Sequence, residues 1–414
     1  MNSSDSVSRG WQLLATRLVH AGRPDVVQPD GNAQGVFVNS PVSRGSTVLF
    51  PDLATMKRNG ALRYEHETIY GAMGSPIQHD LERAVAEIEG GTDTQIVSSG
   101  LAACTTALLA FTSAGGHILL PDSIYGPTRR FADTMLRRFG VTTTYYRPEA
   151  NIEELAGLLR STTQVIFAES PGSHTFEVQD VSALADLAHD VGAKLLLDNT
   201  WGFGVFEPFR HGVDVSIQAL TKYAAGHSDA IIGAITVADR DDWQTLRDAT
   251  IQLGQLAGPD ECWLTLRGLR TMSVRLAHQA RSTLECALWL QTRQEVHQVL
   301  HPALPGAPGH EIWKRDFTGA GTVFGVVLKD RYTSRDMERM IDSLKLFGIG
   351  ASWGGFESLV LPTSGGISRT AGDIPAAPAF RLNIGLENVT DICADLEEAF
   401  SVLESSAHER LSGV

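Results

Sequence analysis

The chain has 414 residues, 43% of them hydrophobic and 20% charged, which is the balance of a soluble globular protein of two or three domains. A net charge of −14 argues against a nucleic-acid surface, because phosphate binding needs Lys and Arg gathered on one face. Cys104, Cys262, Cys286 and Cys393 lie far apart with no CxxC pair, so neither a zinc site nor a disulfide framework is indicated, and each is expected as a small buried residue.

The segment MNSSDSVSRGW lacks the charged start and apolar run of a signal peptide, and no stretch approaches the length of a membrane span. The expected compartment is the cytoplasm, with no membrane partner. Residues 1–70 are rich in Gly, Pro, Ser and Asn, with short periodic pieces such as Trp11 to His20, and read as an arm that wraps onto a neighbour. From Ile77 the spacing of Leu81, Ala84, Val85 and Ile88 predicts a helix, ending at Gly90-Gly91.

Short apolar runs then predict strands at Gln95–Val97, His117–Leu120, Thr142–Tyr146, Val165–Ala168, Lys194–Leu197, Val215–Ala219 and Ile231–Val237. Helical patterns fall between several of them, for example Pro127–Phe139 and Val181–Val191. Strands separated by crossover helices imply an α/β domain, residues 71–270, with a mostly parallel sheet covered on both faces. After Trp263 a long helix is expected through Leu276 to Leu290. Strands at Thr322–Leu328 and Ala379–Ile384, with helices at Ser334–Leu344 and Val389–Leu403, make residues 271–414 a smaller α+β domain.

Lys194-Leu195-Leu196-Leu197-Asp198-Asn199-Thr200-Trp201 is an apolar strand that delivers an acid at its carboxyl end, where open α/β sheets bind ligands. A carboxylate in that setting needs a cation or donors, and a protonated pyridine nitrogen would be one such partner. Next comes Val215-Ser216-Ile217-Gln218-Ala219-Leu220-Thr221-Lys222-Tyr223, an apolar strand ending in a lysine. Such an amine works as a nucleophile if its pKa is lowered or if it is held as an imine. Ser98-Ser99-Gly100-Leu101 joins a strand to a helix with small residues, which lets backbone N–H groups approach an anion. Tyr125, in Ser123-Ile124-Tyr125-Gly126-Pro127, is a loop aromatic that could stack on a planar cofactor or simply pack.

With these motifs the chain resembles the Cys/Met-metabolism family of pyridoxal-phosphate enzymes, and within it the cystathionine β-lyase branch. The resemblance runs from Thr16-Arg17-Leu18-Val19-His20-Ala21-Gly22 to the last helix. It includes Asp198–Trp201, Thr221–Asp229, Glu169–Ser173, His301–Gly306 and Trp313–Gly319. Ser352-Trp353-Gly354-Gly355 is similar to the β-lyase branch, where synthases and γ-lyases tend to carry Leu in place of Trp. The resemblance implies the type I fold of pyridoxal-phosphate transferases and cleavage of a carbon–sulfur bond in a small sulfur amino acid. A broader cysteine-S-conjugate β-lyase, or a γ-lyase or synthase, is the alternative.

The resemblance also assigns roles. Lys222 would hold pyridoxal 5'-phosphate covalently and act as the base, Asp198 would pair with the ring nitrogen, and Tyr125 would stack on the ring and serve catalysis. Gly100 and Leu101 would offer N–H groups to the phosphate beside the Thr221 hydroxyl. Arg381 would grip the substrate α-carboxylate, with Ser352 and Trp353 at the substrate. Tyr70 would reach the phosphate of a neighbouring subunit, which implies at least a dimer and, by family expectation, a dimer of dimers. Two positions depart from the pattern: Ala72 stands where relatives carry a phosphate-binding arginine, with Arg58 and Arg63 nearby, and Ala219 stands where many carry serine. His211, His227 and His301 have no metal-ligand spacing, no metal is expected, and His227 is expected to pack a turn.

Overall fold

The computed structural model of the protein describes residues 13–23, 35–374 and 376–412. The remaining parts of the expected arm, residues 1–12 with Trp11 and residues 24–34, lie outside the described residues. Among the described residues twelve strands follow in chain order: β1 Asp93–Val97, β2 His117–Pro121, β3 Thr142–Tyr146, β4 Thr163–Glu169, β5 Lys194–Asp198, β6 Val215–Gln218, β7 Gly233–Val237, β8 Val296–Leu300, β9 Val323–Leu328, β10 Gly348–Ile349, β11 Leu359–Pro362 and β12 Ala379–Asn383. Each expected strand is present within a few residues. The helix expected over Pro127–Phe139 is an α-turn, Gly126–Phe131, that continues into a π-helical turn, Ala132–Leu136.

The chain divides into two compact units. The first runs to Phe111 and adds Pro208–Arg210 and Asp214–Val274. Its strands pair antiparallel in the order β1-β7-β6, all but fully buried, with the helices Pro76–Glu89, Gly100–Phe111 and Arg240–Leu253 beside them. The last of these helices has no counterpart in the expected elements; Asp239 caps it through Asp242 N–H. The Thr16–Gly22 motif is fixed by backbone carbonyls. Arg270 donates to Leu18 O at 3.0 Å and Ala21 O at 2.6 Å, and Arg17 donates to Ile88 O at 3.0 Å.

The second unit holds Thr112–Glu207, His211–Val213 and Arg275–Val414. Its first sheet is wholly parallel in the order β5-β4-β2-β3, so the carboxyl ends of all four strands point the same way. Its second sheet has the order β10-β11-β12-β9-β8 and is mainly antiparallel. A separate apolar core, with Phe324, Phe380, Phe400, Leu382 and Leu396 all but completely buried, packs that sheet against the helices Ser334–Asp342 and Val389–Ser412. Three cysteines are buried as expected, whereas Cys393 is half-buried because its helix keeps one face to water. No helix among the described residues is long and apolar enough to cross a membrane.

In the first unit one ion cluster ties the chain before Tyr70 to this framework. His66, in a left-handed conformation with φ 56°, places Nδ1 2.9 Å from Glu82 and Nε2 3.0 Å from Asp93. Its ring stacks on Trp243 at 5.1 Å, and His79 closes the group from the next turn of the Glu82 helix. Burial opposes the charge on His66, but the two carboxylates outweigh it and push its pKa up to about 9. With an ordinary value of 6.5 in the unfolded chain, this pairing contributes stability in full below pH 6.5 and loses it as pH rises through 9. His66→Gln should therefore lower stability at pH 6 by up to about 3 kcal/mol. Thermal melts of both proteins should converge toward pH 10; a gap that does not change with pH would show that the ring acts by packing alone.

Candidate active site

In the first unit, β1 ends at Val97 and the helix Gly100–Phe111 begins after two serines. Ser99 Oγ accepts Ala102 N–H at 3.0 Å, so the serine caps the turn and leaves the N–H groups of Gly100 and Leu101 at the positive helix end. A Cβ at Gly100 would fall 2.5 Å from Ala219 Cβ, so glycine at one position and a small residue at the other are both required there. Ala219 is thus a packing partner of the helix start.

Strand β6 stops at Gln218, so Lys222 is not the end of the strand but lies in a turn beyond it. From Ala219 onward the backbone bonds locally: Lys222 N–H donates to Ala219 O at 3.0 Å and Gly226 N–H to Lys222 O at 2.8 Å. Thr221 Oγ accepts Ile232 N–H at 2.9 Å and donates to Ile232 O at 3.1 Å. To donate to a phosphate, that hydroxyl has to release Ile232 O. The turn is backed by Gly268, where a Cβ would lie 2.3 Å from both Ala224 O and Ala225 O. His227 Nδ1 meets Ala225 O at 2.7 Å and packs the turn. Tyr70 is half exposed and Ala72 exposed; Arg63 is tied to Tyr64 and Asp248, and Arg58 is exposed.

In the second unit, the parallel register sets Glu169 directly beside Asp198 at the carboxyl ends of β4 and β5. Asp198, 9% exposed, accepts Thr200 N–H at 3.0 Å and Thr200 Oγ at 2.6 Å. Burial, and then the neighbouring Asp198, raise the Glu169 carboxyl well above the usual carboxylate range. Glu169 accepts Tyr125 N–H at 2.6 Å and Ser173 Oγ at 2.6 Å, so it anchors the loop that presents Tyr125 at the start of the Gly126–Phe131 helix. The Trp201 indole donates to Val323 O at 3.1 Å, which makes it a structural member of the Asp198–Trp201 motif.

Arg381 is on β12 between Leu361 of β11 and Gly325 of β9. Its Nη2 donates to Ser352 O at 2.8 Å, and Ser352 adopts φ 74°, a conformation rare for a residue with a side chain. Burial pushes the Arg381 guanidinium down to about 10, with the Tyr125 phenol close enough to oppose that shift. The Ser352–Gly355 loop is held from behind. Asn383 Oδ1 accepts Gly354 N–H at 2.8 Å, and Gln279 donates to Gly355 O at 2.7 Å. Trp353 is half-buried. The second unit therefore gathers Asp198, Tyr125, Arg381 and Ser352, and adds Glu169, Asn383 and Gln279, for which the sequence offered no role.

A family model described as Cys/Met metabolism PLP-dependent enzyme matches residues 15–401. The chain belongs to this family. A cystathionine beta-lyase of Bordetella avium is 42% identical, covering 93% of this chain and 97% of that one. The cystathionine beta-lyase MetC of Escherichia coli K12 is 39% identical, covering 94% and 98%. A crystal structure of metB from Corynebacterium glutamicum has a TM-score of 0.85 at 28% identity, covering 95% of this chain and 99% of that one. The fold is thus the α/β type I fold of the pyridoxal-phosphate enzymes, and the protein is a pyridoxal-phosphate-dependent member of the Cys/Met-metabolism family.

The donor set fits that cofactor. The first unit supplies an amine at Lys222 and a capped helix start at Gly100 where no Cβ can stand. In the second unit the buried carboxylate of Asp198 stands at the end of β5, oriented by Thr200 N–H and Oγ. Gly268 is the point at which the Lys222 turn is most exposed to a change of shape. Gly268→Ala should cost about 1–3 kcal/mol by overpacking. It should also speed cofactor loss on dialysis, because the carbonyls it strikes belong to the turn after Lys222. A urea midpoint and a dialysis rate equal to those of the parent would show that the turn yields without cost.

Proposed function

We propose that the protein is a carbon–sulfur β-lyase that cleaves L-cystathionine to homocysteine, pyruvate and ammonia. The observation that supports this reading is the hydrogen bond from Arg381 to Ser352 O, because it joins the proposed carboxylate grip to the residue just before Trp353 in the chain. A bulky ring there narrows the ways a thioether can lie. The names of the relatives support the same reading. The cofactor-binding role falls to residues 71–270 and the carboxylate grip to 271–414, with residues up to about 70 as an arm.

Pyridoxal phosphate, when bound, supplies an electron sink for charge developing at Cα. Lys222, Asp198, Gly100, Leu101, Thr221 and Tyr125 would hold it, with Tyr70 from a neighbouring subunit. Arg381 orients the substrate by its α-carboxylate through a two-pronged contact. Lys222 Nζ takes the Cα proton, a role that contributes roughly 10²–10⁴-fold when the base is well placed. The Cβ–S bond then breaks, and sulfur leaves with a proton from Lys222 or the Tyr125 hydroxyl. γ-Elimination would need a second proton taken from Cβ, and hence a base that travels. The enzyme works in the cytoplasm as a dimer or a dimer of dimers. The exposed Phe37, Leu49 and Leu53, 89%, 91% and 73% accessible, support burial of this stretch against a second copy.

Incubation with L-cystathionine should release pyruvate; release of 2-oxobutyrate with cysteine would overturn the β-lyase assignment. Borohydride reduction followed by peptide mapping should label Lys222 and no other lysine. Arg381→Leu should raise KM sharply, with a loss in kcat/KM of about 3 kcal/mol or more, while the cofactor absorbance stays largely intact. Ala72→Arg should slow cofactor loss on dialysis; an unchanged rate in an intact dimer would mean that another cation already serves.

A further inference from the structure

In the first unit, residues 61–70 form neither helix nor strand, and the chain enters a short 3-10 turn, Gly71–Met73, directly after Tyr70. A stretch without a ladder or helical bonds of its own takes its position from the groups that bond its flanks. In Tyr70-Gly71-Ala72-Met73-Gly74 the Tyr70 hydroxyl is the one polar side-chain group, and Tyr70 is 50% exposed. We infer that Arg247 is a positioning residue for the cofactor of a neighbouring subunit, on the reading that Tyr70 reaches that subunit's phosphate. Arg247 acts by holding the turn that presents Tyr70.

Arg247 lies on the helix Arg240–Leu253 and is 3% exposed. Its Nη2 donates to Met73 O, its Nε to Arg63 O at 3.3 Å and its Nη1 to Gln95 Oε1 at 2.6 Å. One planar fork thus grips the stretch on both sides of Tyr70 and ties it to β1, a geometry that a lysine cannot reproduce. Gln95 extends the contact to the buried Glu82, to which its Nε2 donates at 3.1 Å. The hold on Met73 reaches Tyr70 in a single step, because Met73 N–H donates to Tyr70 O at 2.8 Å. The same helix fixes the stretch at two further points. Trp243 Nε1 donates to Tyr64 O at 2.9 Å, and the Tyr64 hydroxyl donates to Asp248 at 3.0 Å.

From Arg247 two routes lead to a cofactor. One runs through Met73 to Tyr70, and so to the neighbour. The other runs through Gln95 along β1 to Gly100, at the cofactor site of its own chain. The first route is the softer. β1 pairs with β7 over its whole length, Asp93–Val97 against Gly233–Val237, so it keeps its place when one side-chain bond is lost. The stretch before Tyr70 has no such ladder. Removal of the fork leaves the buried carbonyls of Arg63 and Met73 without this donor, and the turn shifts as they find others. A hydroxyl displaced by about 1 Å no longer meets its acceptor at hydrogen-bond distance.

The test uses the full-length holoprotein and follows loss of covalently held cofactor on dialysis by its absorbance. Arg247→Gln should speed that loss roughly 10-fold, the scale of one charge-assisted hydrogen bond. Co-expression with Lys222→Ala, each chain carrying a different affinity tag, then separates the two routes. In a mixed dimer only the Arg247→Gln chain holds cofactor covalently, and its partner lends it a Tyr70 backed by an intact Arg247. The mixed protein should therefore show a phase at the wild-type rate that Arg247→Gln alone lacks. Fast loss throughout would place the action of Arg247 on its own chain and overturn the inference, as would an Arg247→Gln rate equal to that of the wild type. Tyr70→Phe mixed with Lys222→Ala tests the reading beneath it. Fast loss from Tyr70→Phe with no wild-type phase in that mixture would show that Tyr70 serves its own chain, and both the reading and the inference would fall. If Arg247→Gln gives no cooperative melt as apoprotein, Arg247→Lys, which keeps the charge but not the fork, takes its place in the same comparison.

Discussion

Glu169 and Asp198 end adjacent parallel strands in the same register, and both side chains are almost fully withdrawn from water. Two anions so close in a poorly screened setting repel strongly, and the repulsion is relieved when one of them keeps its proton. Glu169 is that group: burial raises it first, and the charge of Asp198 adds to the effect. The Asp198 carboxylate accepts from both donors of Thr200. Because Glu169 also holds Tyr125 N–H and Ser173 Oγ, the same pair positions the aromatic loop and the chain that leads to His174. One electrostatic conflict at the carboxyl ends of β4 and β5 thus organises the Asp198, Tyr125 and Ser173 part of the second unit.

The other constraints are steric and fall on the backbone. Gly100 approaches Ala219 so closely that no Cβ fits at position 100, and the helix start lies against the base of the Lys222 turn as a result. Gly268 lets a 33-residue helix press on the carbonyls of Ala224 and Ala225 from the other side. In the second unit the strained Ser352 is held by Arg381, and the loop after it by Asn383 and Gln279. Reactive side chains placed on backbone that cannot shift lose little entropy when substrate arrives.

The alternation of apolar runs and amphipathic segments in the sequence by itself determined the α/β class and the strand positions from Gln95 to Val237, because burial on both faces leaves a continuous apolar signature. It also marked the candidate site residues, since Asp198 ends a strand, and Lys222 and Gly100 each follow one, in short motifs whose neighbours are contiguous in the chain. The helix Arg240–Leu253 and the strands Val296–Leu300 and Leu359–Pro362 were not legible, being charged in the first case and short or half-exposed in the others. Only the tertiary structure decided that Lys222 stands in a turn beyond its strand, because that depends on where the backbone of β6 stops finding a partner strand. Only it decided that Glu169 is the acid beside Asp198 and that Asn383 supports Gly354. Each of these joins residues distant in sequence. Local pattern records the burial of single segments, and carries no register between them.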